Sequence, residues 1–430
     1  MKQHSMMSRL KEEIFHKKLS NNMELFFMKK EGFTKKYAVF ATNFGSNDLS
    51  FVSPHTKEQV TVNEGIAHFL EHKMFEQPNG TDAFEKFSEI GADANAFTNF
   101  DMTAYLFSST DFFYEGLEHL ISYVQTPFFT KENVDKEKGI IAQEIKMYQD
   151  NPVWVLFFNA LKAMYINHNN RIDIAGTVES IYRITPEELY TCYNTFYSPS
   201  NMALFVIGDL DWNDIVNTVE KTVKNDLAFE GKVHRLEKKE PNKISQKTIV
   251  QKFPVSIPMF MIAFKEKMDG EHRGKDLMKK MISTEIILDL LFRKGSELNE
   301  ELYNENLIFS TLDCEYNASR NYGYTLISAE SRKVTTVIQK IMDCIGKSKK
   351  IGLNQEDFDR VKKSRIGSYI KSFDAMEGLA NNYVSYYFQG MDWFEYGEIL
   401  EEITLEFCQD RLEQHFVEDM KVVSFINPKE

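Results

Sequence analysis

Long apolar runs are missing from this chain of 430 residues. No stretch approaches the roughly 18 apolar residues that a membrane-spanning helix needs, so no segment is expected to cross a bilayer. Cysteine is scarce: Cys192, Cys314, Cys344 and Cys408 stand far apart and form no C-x-x-C pair. That spacing gives no indication of a thiolate metal site or redox motif, and a disulfide framework is not expected in a chain this long. The cysteines read as reduced and the compartment as reducing. The first twenty residues hold no apolar stretch fit for a signal peptide and read as a charged, helix-prone lead-in, so a cytoplasmic protein is expected. Positive charge is in deficit. With 51 Lys and Arg against 64 Asp and Glu, the net charge of −13 repels phosphate backbones and argues against nucleic acid as a partner.

What is present is apolar mass: 43% hydrophobic and 13% aromatic residues, enough for two or more domains. Residues 22–30 and 36–44 are short, aromatic and β-branched, as strands are. A helix is expected over 63–75, capped by Asn63 and stopped by Gln77-Pro78-Asn79-Gly80. A short helix from Thr81 to Gly91 follows, then strand over 94–109. Helical periods mark 112–125, 131–150 and 153–166. Thr185-Pro186-Glu187-Glu188-Leu189 reads as a capped helix start, and 201–211 as a buried strand.

The segment 228–247 is charged and poor in apolar residues. It reads as a linker between an N-terminal half, 1–227, and a C-terminal half, 248–430. The second half repeats the order of the first. Residues 250–265 answer the strand at 36–44, the helix around 284–292 answers 63–75, the 307–331 segment answers the strands of 92–109, and 358–371 answers 134–146. In that alignment Glu285, Leu288 and Asp289 stand where His68, Glu71 and His72 stand, so the second half lacks metal ligands.

Histidine is also rare, ten in all, yet His68 and His72 lie four apart on one expected helix. Rings at that spacing share a face and can bind one zinc ion. Glu71 lies on the same side and can take a proton from a water that the metal acidifies. Ile66, Ala67, Phe69, Leu70, Met74 and Phe75 make the helix largely buried. Buried imidazoles and a buried carboxylate need a compensating partner, which a metal supplies. Downstream, Glu137 and Glu144 are seven apart and so share a helix face. One can ligate while the other orients a histidine. A solvated acidic stripe is the alternative for that segment taken alone.

These residues resemble the pitrilysin family, which includes insulin-degrading enzyme and the mitochondrial processing peptidases. Its signature is H-x-x-E-H, the inverse of the usual zinc-protease order, and its third ligand is a glutamate roughly seventy residues downstream, with a supporting glutamate seven residues earlier. The resemblance implies that His68, His72 and Glu144 hold one Zn2+, that Glu71 is the catalytic base and that Glu137 supports the site. Asn95-Ala96-Phe97-Thr98 and Thr103-Ala104-Tyr105 are similar to the family's substrate-side edge strand. There Asn95, Ala96 and Phe97 would bind a peptide by strand addition. Ile174-Ala175-Gly176-Thr177 and the stretch Cys192–Met202, ending in Gly208-Asp209, also fit and look structural. The fold implied is α+β: two homologous halves, each a mainly antiparallel sheet covered by helices, facing each other around a cavity. The similar subgroup includes bacterial two-subunit processing-peptidase-like members and proteins labelled as associated with elongation factor P 5-aminopentanol modification.

The sequence departs from the family in the second half. Tyr303 stands in place of an Arg, and Phe309 in place of a Tyr, that stabilise the oxyanion. The resemblance therefore implies a heterodimer whose homologous partner subunit supplies Arg and Tyr, unless Arg293 or Arg320 substitutes from within. The expected activity is that of a zinc metalloendopeptidase. A binding or scaffolding subunit that retains its zinc site, and a zinc hydrolase acting on another bond, are the alternatives.

Overall fold

A computed structural model of the protein describes residues 10–224 and 232–429. Runs such as Lys36–Thr42 and Met202–Gly208 are apolar without alternation, and they become strands buried on both faces. The first half contributes β1 (Ile14–Lys18), β2 (Glu24–Lys29), β3 (Lys36–Thr42), β4 (Ser50–Val52), β5 (Gln59–Thr61), β6 (Asp93–Thr98), β7 (Thr103–Ser109) and β8 (Met202–Gly208). Six of these form one sheet in the order β1-β2-β8-β3-β7-β6, with β6 at its edge. Only the β2–β8 pair is parallel among the pairings of that sheet.

After β9 (His234–Arg235), the second half contributes β10 (Thr248–Phe253), β11 (Met259–Lys265), β12 (Asp313–Ala318), β13 (Gly323–Glu330) and β14 (Lys421–Pro428). Their order is β10-β14-β11-β13-β12, with β10 and β14 parallel. Strand for strand this matches the first sheet without β1, so the repeat read from pattern is a repeat of topology. It is α+β, as expected. The counterpart of β3 is β11 alone, and the start of the segment 250–265 belongs to β10, the counterpart of β2.

Five helices of the first half bear on the site: α1 (Ile66–Lys73), α2 (Ala83–Glu89), α3 (Phe113–Val124), α4 (Lys131–Gln149) and α5 (Pro152–Met164). One face of the first sheet, with Leu25, Phe27, Ala38 and Phe40, packs under α1 and α3. Its other face, with Phe26, Met28, Val39 and Phe205, is covered by Leu379, Tyr383 and Val384 of the helix Met376–Phe388 from the second half. The reciprocal arrangement holds for the second sheet. Leu156, Ala160, Leu161 and Met164 of α5 pack on Met261, Ala263, Leu326 and Val422. Each half therefore closes its partner's core.

One of the sequence expectations changes. The lead-in contains β1, not only helix: Phe15 stacks on Phe27 and Trp212, and that aromatic anchor outweighs the helical leaning of its charged neighbours. The expected boundary at 227 and 228 lies outside the described residues. The linker is pinned where it is described. β9 pairs with β4, and Glu240 accepts the backbone N–H of Ile166, Asn167 and His168 while receiving the ammonium of buried Lys265.

Candidate metal centre

The first turn of α1 is set by backbone approach. Gly65 precedes it with φ 86° and no side chain caps it. A Cβ there would lie 2.4 Å from the Ala175 carbonyl oxygen, and one on Gly176 (φ 75°) would lie 2.6 Å from the Glu64 carbonyl oxygen. Two glycines thus let the 174–177 turn press against the helix start. Asn63 is not the cap expected from the sequence. Its amide donates to Glu188, and its carbonyl accepts from Arg183.

From α1, His68, Glu71 and His72 project toward α4, whose Thr130–Asn133 capping box fixes its own start. Glu137 and Glu144 of α4 face them. His68 Nε2 lies 3.6 Å from Glu144 Oε1, and His72 Nε2 lies 3.4 Å from Glu144 Oε2. The ligand atoms of His68, His72 and Glu144 all fall within 4.8 Å of one another. Donors at about 2.1 Å from one tetrahedral ion stand roughly 3.4 Å apart, so the donor set and spacing fit zinc. On the far side of its ring, His72 Nδ1 is 3.1 Å from Glu137 Oε1. That contact presents Nε2 toward Glu144.

The charges are mutually balanced. Burial opposes the imidazolium of His72, but hydrogen bonds to Glu137 and Glu144 carry its pKa up to about 10. Contacts with His68 and His72 hold the Glu144 carboxyl well below the usual range. Glu137 is also held low, against the effect of its burial, by His72. Glu71 behaves differently: burial pushes its carboxyl up.

Asn95, Ala96 and Phe97 line the same cleft as His68, Glu71, His72 and Glu144, which encloses about 320 Å³. They sit on β6, the strand at the open edge. The Asn95 side-chain oxygen accepts the N–H of Ala96, 2.9 Å away. Three further groups were not read from the sequence. Tyr148 donates to Glu144 Oε1 at 2.9 Å and stacks on Trp154, whose indole N–H donates to Asp173. Tyr148 is four residues beyond Glu144, a helix spacing that could have flagged it. Trp154 and Asp173 come from separate elements and carry no such signal.

The second half has the corresponding helices and strand but a different centre. Glu285 and Asp289 are held by Arg293 and Arg365. Glu285 accepts the Tyr316 N–H, and Arg293 donates to the Cys314 carbonyl, so side chains occupy backbone groups of the edge strand β12. Arg320 pairs with Glu237. Both arginines offered as internal oxyanion donors are thus engaged elsewhere, and neither lines the metal cleft. Tyr303 and Phe309 are exposed, at 60% and 53%.

Residues 56–178 match the family model described as Insulinase (Peptidase family M16), and residues 183–365 match that described as Peptidase M16 inactive domain. The chain is 40% identical, over 98% of its length and 98% of the relative, to the uncharacterized zinc protease YmfH of Bacillus subtilis. It belongs to peptidase family M16. A structure of a putative M16-like peptidase from Alicyclobacillus acidocaldarius superposes with a TM-score of 0.92 at 35% identity, covering 97% of this chain and 99% of that one. A protease from Helicobacter pylori shares the fold with a TM-score of 0.83 at 18% identity, over 97% and 100% of the two chains. The candidate ligands His68, His72 and Glu144 all fall in the insulinase match, whereas β8 of the first sheet falls in the other.

Proposed function

We propose that this M16 chain is the zinc-bearing subunit of a cytoplasmic metalloendopeptidase that hydrolyses extended peptides. The observation that carries the reading is the convergence of His68, His72 and Glu144 beside Glu71, on a cleft walled by an open sheet edge. A zinc ion supplies Lewis acidity, which polarises a carbonyl and acidifies water. The side chains do the rest. Glu71, its carboxyl raised by burial, accepts the proton of the attacking water and returns it to the leaving amine. Glu137 fixes the His72 ring. The β6 edge takes the peptide backbone as an added strand, with Asn95, Ala96 and Phe97 beside it. The blocked β12 edge favours one peptide site per chain over two.

The partner is a homologous subunit that supplies Arg and Tyr to the oxyanion. This part rests on Tyr303 and Phe309 in the second half and on the engagement of Arg293 and Arg320. Cytoplasmic residence rests on four cysteines that remain unpaired. The test is metal analysis together with cleavage of an internally quenched peptide mixture, with and without the co-purified partner. Glu71→Gln is expected to keep one zinc per chain and lose turnover by about 10²–10⁴-fold. His68→Ala is expected to lose the zinc. Normal cleavage by Glu71→Gln would remove the assigned base, and a zinc-loaded pair that cleaves no peptide would favour a binding role.

A further inference from the structure

Glu71 is buried, yet its carboxylate has a single hydrogen-bond partner among the described residues. The Thr98 hydroxyl lies 2.5 Å from Glu71 Oε2. Thr98 is itself anchored. Its oxygen is 3.2 Å from that of Thr103, the cross-strand partner that closes the β6–β7 hairpin. The fully buried Thr103 hydroxyl donates to the Phe44 carbonyl at 2.9 Å.

The proton count fixes the direction of this chain. Each hydroxyl has one proton. Thr103 spends its own on Phe44, and of the two oxygens near Thr98 the carboxylate is much the nearer. Thr98 therefore donates to Glu71. A charge-assisted O–H···O bond at this distance is of the strong class.

The strand register adds a second link. Side chains alternate along β6, so Asn95 and Phe97 point away from the side where Ala94, Ala96 and Thr98 lie. Ala94 and Ala96 pack on the core beneath α1. Thr98 thus reaches Glu71 of α1 from the strand whose residues 95–98, Thr98 included, line the peptide cleft.

We propose that Thr98 is a positioning residue: its hydroxyl fixes the Glu71 carboxylate so that the other oxygen is presented to the cleft, and ties that placement to the strand that receives the peptide. This rests on the reading of Glu71 as the base. Glutamate has three rotatable bonds. With its one anchor removed, the carboxylate is free to turn, and misplacement of a reacting group by about 1 Å can cost on the order of 10²-fold in rate.

The experiment compares Thr98→Val, which keeps the shape and removes the hydroxyl, with Thr98→Ser, which keeps the hydroxyl. Zinc content, thermal melting, crystal structures and cleavage of an internally quenched peptide mixture are measured on the full chain with any co-purified partner. Thr98→Val is expected to keep one zinc and a folded chain, to hold KM within about twofold, and to lower kcat by about 10–100-fold. Thr98→Ser is expected to recover kcat to within about threefold of the parent. In the Thr98→Val crystal, Glu71 should leave its present rotamer. A Thr98→Val chain with unchanged kcat, or with Glu71 in the same place, overturns the proposal. If the zinc-loaded parent cleaves nothing, the peptidase reading fails separately, and the position of Glu71 in the Thr98→Val crystal decides the matter.

Discussion

His72 turns its two ring nitrogens toward two different glutamates: Nδ1 toward Glu137, 3.1 Å away, and Nε2 toward Glu144, 3.4 Å away. Both acids come from one helix face, seven residues apart, so in the proposed zinc site a single helix would supply one ligand and the group that orients another. Removing the orienting acid should loosen the metal without deleting a donor.

Glu137→Ala is therefore expected to weaken zinc binding by about 10–100-fold while leaving the secondary structure intact. Competition against a chromophoric chelator measures this directly. An affinity equal to the parent's would mean that the His72 ring is held by packing alone.

Gly176→Ala should damage the start of α1. The residue has φ 75°, and its new Cβ would meet the Glu64 backbone oxygen at 2.6 Å. The left-handed conformation alone costs about 1–2 kcal/mol for a residue with a side chain, and the backbone overlap adds to it. A drop in melting temperature together with weakened zinc binding is the expected result. Gly139→Ala, where nothing lies within 4 Å of the added atom, is the control and should be neutral or slightly stabilising.

The second half should be acid-sensitive through Glu266. Its carboxylate is buried under a two-pronged contact from Arg411, at 2.8 and 2.5 Å, with the Tyr316 hydroxyl at 3.0 Å. Burial alone would raise its pKa, but His415 and Arg411 hold it far below the ordinary value of 4.5. As the pH falls past that value, the unfolded chain takes up a proton that the folded chain refuses. Stability contributed by Glu266 is thus full above pH 4.5 and drains away on acidification. Glu266→Gln should flatten this slope, as urea melts across the acid range would show, and should cost about 3–5 kcal/mol at neutral pH by leaving Arg411 buried without its counter-charge.

Arg365→Met should separate the two centres. It takes from Glu285 and Asp289 one of the two guanidinium groups that neutralise them. A loss of roughly 3 kcal/mol of stability is expected, with the zinc content unchanged at one per chain. Loss of zinc in this variant would mean that the second cluster supports the first.

Much of the candidate metal centre was legible because its signal is local. His68, Glu71 and His72 are neighbours on one helix turn, and Glu137 and Glu144 share a face by periodicity. The strands at 24–29 and 36–42 were legible from their apolar character. Other features depend on contacts between distant segments. Thr98 meets Glu71 across 27 residues, and nothing in the NAFT stretch marks its hydroxyl. The helix start was misread because Asn63 has the chemistry of a cap, whereas Gly65 and the distant Ala175 turn determine the backbone. β1 was missed because only Phe15 and Ile14 interrupt a charged run, and the surface that receives Phe15 includes Trp212.

The exchanged helices α5 and Met376–Phe388 bear on what a single cut could achieve. A protease that nicked the connecting segment would release no working fragment. Either piece, drawn away, would strip the cover from a sheet face and expose Phe26, Val39 and Phe205, or Met261 and Leu326, to water. The nicked protein should therefore stay associated through gel filtration, and the two gene halves expressed apart should each be insoluble yet recover a folded complex when produced together.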